Sequence, residues 1–123
     1  MKSIIASIGI CLIFSSSAVA QNADKIDYYA NGKVKAEYFA ADNNGVDAKF
    51  YYSTGQLKET GSYSDNLKDG EWISYTRSGE KSAVGTYAMG EKSGVWKFWN
   101  AAGELSHTVD YNFDQPKLVV HNQ

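Results

Sequence analysis

Few residues in this chain could do covalent chemistry, and their spacing argues against it. Apart from the first twenty residues the histidines are His107 and His121, and no H-x-x-x-H or H-E-x-x-H pattern occurs. A lone histidine lacks the orienting partner that a general base needs, and His121 stands in a terminal tail. Serines are numerous, but the G-x-S-x-G turn of a nucleophile is absent. Asp24, Asp27 and Glu37 are scattered rather than paired. Two oxygen-rich segments, Asp42 to Asp47 and Asp65 to Glu71, come closest to a calcium loop. Neither has the D-x-[DN]-x-[DN]-G spacing, Lys68 adds a positive charge, and Asp and Asn are ordinary turn residues. The residues therefore give no catalytic set, no cofactor site and no metal site. The expectation is a protein that is not an enzyme.

The elements around these residues are marked by a repeat. Gly32, Gly55, Gly79 and Gly103 stand 23, 24 and 24 residues apart. Gly70 and Gly94, Gly61 and Gly85, and Trp72 and Trp96 each repeat at 24. Tyr51, Tyr75 and Trp99 keep the same interval, as do Tyr63, Tyr87 and Tyr111. The unit reads G-x-W-x-x-Y-x-x-x-G, followed by an extended segment ending in G-x-Y. A glycine with small or polar neighbours suits the left-handed residue of a type I turn with a G1 bulge, so each period predicts one β-hairpin. Longer loops, Asp65 to Asp69 and Ala88 to Ser93, are expected to lead to the next hairpin.

Alternation places Trp72 and Ser74 on one face with Trp96 and Phe98, and Ile73 and Tyr75 on the other with Trp99. Stacked hairpins predict ladders of Trp72 with Trp96 and of Tyr51 with Tyr75 and Trp99. Gly61 and Gly85 leave room for a neighbouring ring or mark a bend. One hairpin cannot bury a face, and stacking supplies what it lacks. The fold class is all-β: successive antiparallel hairpins forming one elongated, twisted sheet. The units run near 26–45, 46–69, 70–93 and 94–115, with a cap at 116–123 in which 117–120 can close the sheet. The N-terminal end is degenerate, with Asp47 or Ala48 in the second unit where tryptophan is expected.

Two further readings come from the chain's start and its charge. Met1-Lys2, the apolar run Ile4 to Phe14, Ser15 to Ser17 and Ala18-Val19-Ala20 are ordered like a signal peptide over 1–20, leaving a single domain over 21–123. The run is too short for a permanent membrane span, so no integral span is expected after cleavage. Cys11, the single cysteine, is preceded by Ile10 and followed by more apolar residues, which argues against lipid attachment. Export to a periplasm or the medium is the expected location. The formal net charge is −2 with no basic block, which argues against nucleic acid as a partner.

The cassette resembles the MORN repeat in its bacterial variant form, through Gly70/Trp72/Tyr75/Gly79 with Gly85 and Tyr87, and Gly94/Trp96/Trp99/Gly103 with Tyr111. Tyr51/Gly55 with Gly61 and Tyr63, and Tyr28/Gly32, match more weakly. Whole chains of this kind resemble the YwqK-type family, labelled antitoxin components. The resemblance implies an elongated sheet of hairpins, a binding or scaffolding role, and no conserved catalytic set. Trp99 and Val109 depart from the usual tyrosine and glycine. An exported chain would not meet a cytoplasmic toxin, so an immunity-like role suits it better. The expected function is a non-catalytic module binding an unidentified protein partner. The alternative is a carbohydrate or cell-envelope binder with an exposed aromatic ladder, whose ligand would be a glycan. Gly55, Gly70, Trp72, Gly79, Gly94, Trp96 and Gly103 recur and read as architecture. Tyr51, Tyr75, Trp99, Glu71 and Arg77 form the candidate interaction surface.

Overall fold

A computed structural model describes residues 22–121, so the signal-peptide reading lies outside the described residues. Nine strands follow one another in chain order across one open antiparallel sheet. They are β1 (Lys25–Tyr28), β2 (Val34–Ala40), β3 (Gly45–Tyr51), β4 (Leu57–Ser64), β5 (Leu67–Tyr75), β6 (Lys81–Ala88), β7 (Glu91–Trp99), β8 (Leu105–Asp110) and β9 (Lys117–Val120). Thus 117–120 does close the sheet, pairing with β8 from Asp110↔Lys117 to His107↔Val120.

Two kinds of turn recur, apart from the links at 41–44 and 111–116. After β1, β3, β5 and β7 the chain makes the expected type I turn with a G1 bulge. Tyr52 N donates to Gln56 O at 2.8 Å, Gly55 N donates to Tyr52 O at 2.8 Å, and Gly55 has a φ of 102°. The turns at Gly32, Gly79 and Gly103 repeat this bonding. After β4 and β6 the expected longer loops are absent. Asp65-Asn66 and Met89-Gly90 are two-residue turns with both residues at positive φ, enclosed by the pairs Ser64↔Leu67 and Ala88↔Glu91. That is the primed turn whose twist suits a hairpin. It lets the strands run on through Lys68 and Lys92 where loop had been expected.

A second irregularity recurs inside the sheet. Thr60 pairs with Ile73 and Ser62 with Asp69, so Gly61 alone faces the three residues Gly70, Glu71 and Trp72. Gly85 faces Gly94, Val95 and Trp96 in the same way. Gly70 and Gly94 take up these bulges at φ of 81° and 68°. The β2–β3 ladder, from Ala36↔Phe50 to Ala40↔Val46, has no such bulge.

The sheet is one layer deep and its core lies within one face. The buried apolar side chains among the described residues are Ala36, Ala48, Trp72 and Trp96, the two indoles at 3% and 6% exposure. The pairs Ala36↔Phe50, Phe50↔Glu59, Glu59↔Ser74, Ser74↔Ala83, Ala83↔Phe98 and Phe98↔His107 make one continuous row on that face. On the opposite face another row crosses from Ile26 through Glu37, Lys49, Thr60, Ile73, Val84, Lys97 and Thr108 to Val119.

Candidate functional site: two rows of rings on an open sheet

The tryptophans sit in closed seats. A Cβ built on Gly61 would lie 2.1 Å from Trp72 Cδ2, and one on Gly85 would lie 1.9 Å from Trp96 Cδ2. Each indole therefore rests on the backbone of the strand before it. Trp72 Nε1 donates to Ser62 O and Trp96 Nε1 to Thr86 O, both at 3.1 Å, which satisfies the one polar atom of each ring. Tyrosines stand edge-on at both sides: Tyr63 at 5.2 Å and Tyr87 at 6.0 Å from Trp72, and Tyr87 at 5.1 Å and Tyr111 at 6.2 Å from Trp96. Phe50 stacks on Trp72 and Phe98 on Trp96, each at 6.3 Å.

Lysines cover the open side. Lys68 Nζ lies 4.0 Å from the Trp72 centroid and 5.0 Å from that of Tyr87, and is held by Glu59 Oε1 at 3.2 Å. Lys92 Nζ repeats the placement, 4.8 Å from Trp96 and 5.3 Å from Tyr111. Glycine beneath and lysine above explain how a one-layer sheet buries an indole. The sequence does contain the signal, since both lysines stand four residues before a tryptophan. Burial raises the Tyr63 phenol above its ordinary value, with the nearby Lys68 charge pulling the other way.

The anticipated ladder of Trp72 with Trp96 is corrected by this geometry. Alternate strands are about 9.6 Å apart, and the Tyr87 ring on β6 fills the space between the two indoles. The same spacing separates Tyr51, Tyr75 and Trp99, which lie on β3, β5 and β7. Their cross-strand partners are Leu57, Lys81 and Leu105. All three rings are half-buried. Tyr28 belongs to the same row: it stands four residues before Gly32, pairs with Val34, and is 60% exposed. It was legible by its distance from the turn glycine. The row is therefore four rings on every second strand, spanning about 29 Å.

The members of this row differ in how they are held. Tyr51 donates its hydroxyl to Glu37 Oε1. Its phenol is pushed up to about 12, first by burial and then by the Glu37 carboxylate. Tyr52, one residue on, donates to Tyr75 O at 2.6 Å, and Tyr29 donates to Tyr51 O at 2.6 Å. These bonds tie each G1 turn to the next hairpin. Arg77 is exposed, with its guanidinium 4.7 Å from the Tyr52 ring. Glu71 is exposed within the β5 bulge, opposite Thr86. The candidate residues thus divide: Arg77 and Tyr75 are linked through Tyr52, while Tyr51, Trp99 and Glu71 lie apart on different strands or positions.

His107 does not stand free. Its ring stacks on Phe98 at 4.6 Å and 7°, and Nδ1 lies 3.2 Å from Ser106 Oγ. The two acidic segments serve turns and cross-strand bonds. Asp47 accepts from Ser62 Oγ at 2.6 Å, and Asp69 accepts from Met89 N at 3.3 Å. Among the described residues no three His, Cys, Asp or Glu side chains cluster as metal ligands, and no helix is long and apolar enough to cross a membrane.

The sequence pattern of the MORN repeat variant family matches residues 23–40 and 46–65. These two segments are the β1–β2 and β3–β4 hairpins, the units in which the tryptophan is missing. MORN repeats generally take part in protein or membrane interactions. Comparison with curated proteins and with solved structures finds no match. The chain is thus similar to MORN repeat variants in two of its four hairpins, and the later two continue the same period with tryptophan added.

Proposed function

We propose that this chain is a non-catalytic repeat module that binds a protein partner outside the cytoplasm after loss of residues 1–20. One observation carries the reading. Trp72 and Trp96 complete the sheet's packing internally, and a second row of rings, Tyr28, Tyr51, Tyr75 and Trp99, is left accessible across seven strands. Aromatic anchors on a rigid, preorganised surface are what protein interfaces use, because a ring supplies contact area at little conformational cost. The continuous hydrogen-bonded sheet fixes their spacing.

The antitoxin-like or immunity-like form of this role rests on the resemblance of the repeat, and no residue of the sheet carries it. The test is affinity capture from envelope and culture fractions with the purified chain, run beside the double variant Tyr75→Ala/Trp99→Ala. A protein retained by the wild type and lost from the variant supports the proposal. Specific retention on a glycan array, with no protein dependent on those rings, would replace it with carbohydrate binding.

A further inference from the structure

We propose that the first two hairpins carry between them an anchor pocket for one aromatic side chain of a partner polypeptide, a refinement that rests on the protein-binding reading above. The pocket has a volume of about 460 Å³ and is bordered by Lys25, Tyr38, Ala40, Val46, Tyr63 and Asn66. Asp24 closes one rim, its carboxylate fixed by the Ala40 amide, which donates to Oδ2 at 2.7 Å.

The repeat shows what this space is shaped for. Tyr28, Tyr51, Tyr75 and Trp99 pair with Val34, Leu57, Lys81 and Leu105, which aligns the four hairpins residue by residue. Six residues after those partners come Ala40, Tyr63, Tyr87 and Tyr111. Ala40 therefore occupies the tyrosine position. By the same alignment Ala48 occupies the position of Trp72 and Trp96, and Tyr38 that of Gly61 and Gly85. The seat shared by β2 and β3, where Tyr38 pairs with Ala48, has therefore lost two rings and gained one, so it is one ring short. The deficit lies between Tyr38 and Tyr63, where the pocket is found.

A cation stands at this seat too, though from a different repeat position: Asn44 takes the place of Lys68 and Lys92, and Lys25 that of Trp72 and Trp96. Lys68 and Lys92 stack on the tyrosines of later hairpins from the preceding strand. Lys25 stands on β1, the strand preceding Ala40, with Nζ 5.2 Å from the Tyr38 centroid and anchored to Asp27 Oδ1 at 3.5 Å. An ammonium above and tyrosine walls at the sides complement the negative face and positive edge of a further ring. An aliphatic side chain would fill the volume and leave that complementarity unused. The occupant is therefore a Tyr, Trp or Phe side chain presented by the partner.

The test uses N-acetyl-tyrosinamide and N-acetyl-leucinamide titrated into the ¹⁵N-labelled chain, with Ala40→Tyr and Lys25→Gln as variants. The tyrosine probe should shift the Ala40, Val46 and Asn66 amides saturably and bind about three- to tenfold tighter than the leucine probe. Ala40 is exposed, so Ala40→Tyr is accommodated; it should fill the seat and abolish saturable binding, and Lys25→Gln should weaken it. Equal binding of both probes, or unchanged tyrosine binding by Ala40→Tyr, would overturn the assignment. Partner capture separates this claim from the broader one. Capture lost in Tyr75→Ala/Trp99→Ala but intact in Ala40→Tyr overturns the pocket alone, whereas loss in both supports it.

Discussion

The indole of Trp72 lies across Gly61 on the adjacent strand, so close that a Cβ at Gly61 would meet Trp72 Cδ2 at 2.1 Å and Cε2 at 2.2 Å. Gly61 has an ordinary φ, so the need for glycine is steric there, imposed by the ring. Gly70, in the bulge that delivers the same indole, is the reverse case: open space surrounds it, and its φ is 81°.

Those two causes predict different damage. Gly61→Ala forces the indole off its seat and should cost about 3 kcal/mol, the upper end of core overpacking, with loss of the tryptophan near-ultraviolet circular dichroism. Gly70→Ala should cost about 1–2 kcal/mol from left-handed strain and leave that spectrum intact. Urea unfolding with near-ultraviolet spectra checks both.

Removing the cover should matter less than removing the seat. Lys68→Ala withdraws the ammonium from Trp72 and Tyr87, and its stem from the indole face, and should cost about 1 kcal/mol. Since Lys68 is also paired with Glu59, Lys68→Arg should retain more of the stability than Lys68→Met. Thermal unfolding of the three variants orders them.

Tyr51 gives the sheet an alkaline limit. Its phenol is raised from 10.0 to about 12 in the folded chain, so the folded state holds its proton more tightly than the unfolded state. The resulting stability is present in full below pH 10 and is lost as the pH rises from 10 to 12. Tyr51→Phe has no proton to release, so the wild type's advantage over it should shrink across that window. Urea midpoints of the two chains at pH 9, 10 and 11 measure the change.

Adjacent hairpins are held together by Tyr52, whose hydroxyl reaches Tyr75 O while its ring carries Arg77. Tyr52→Phe should cost about 1 kcal/mol for the lost hydrogen bond. Faster amide exchange should appear around the Gly55 and Gly79 turns and not around Gly90. Hydrogen exchange resolved by residue tests this directly.

The periodicity made much of this molecule legible. Glycines at 23 and 24 residues place the G1 turns, and alternation places Trp72 and Trp96 on one face. The room expected at Gly61 and Gly85 is filled by those indoles. What escaped were relations between strands. Counting along the chain aligns Trp72 with Trp96, but they are two strands apart and Tyr87 separates them. Asp65-Asn66 reads as the start of a polar loop, although both residues accept positive φ and close a two-residue turn. The lysines above the indoles were hidden inside those supposed loops. The ring deficit around Ala40 depends on strand register, which fixes that Ala40 and not Tyr38 stands in the tyrosine position.

The division between architectural and recognition rings is tested most directly on β7, where Trp96 and Trp99 lie three residues apart. Urea unfolding of Trp96→Ala and Trp99→Ala should show a loss of about 3–5 kcal/mol for the buried Trp96 and less than half that for the half-exposed Trp99. Equal losses would make Trp99 part of the packing and contradict the assignment of its row to partner binding.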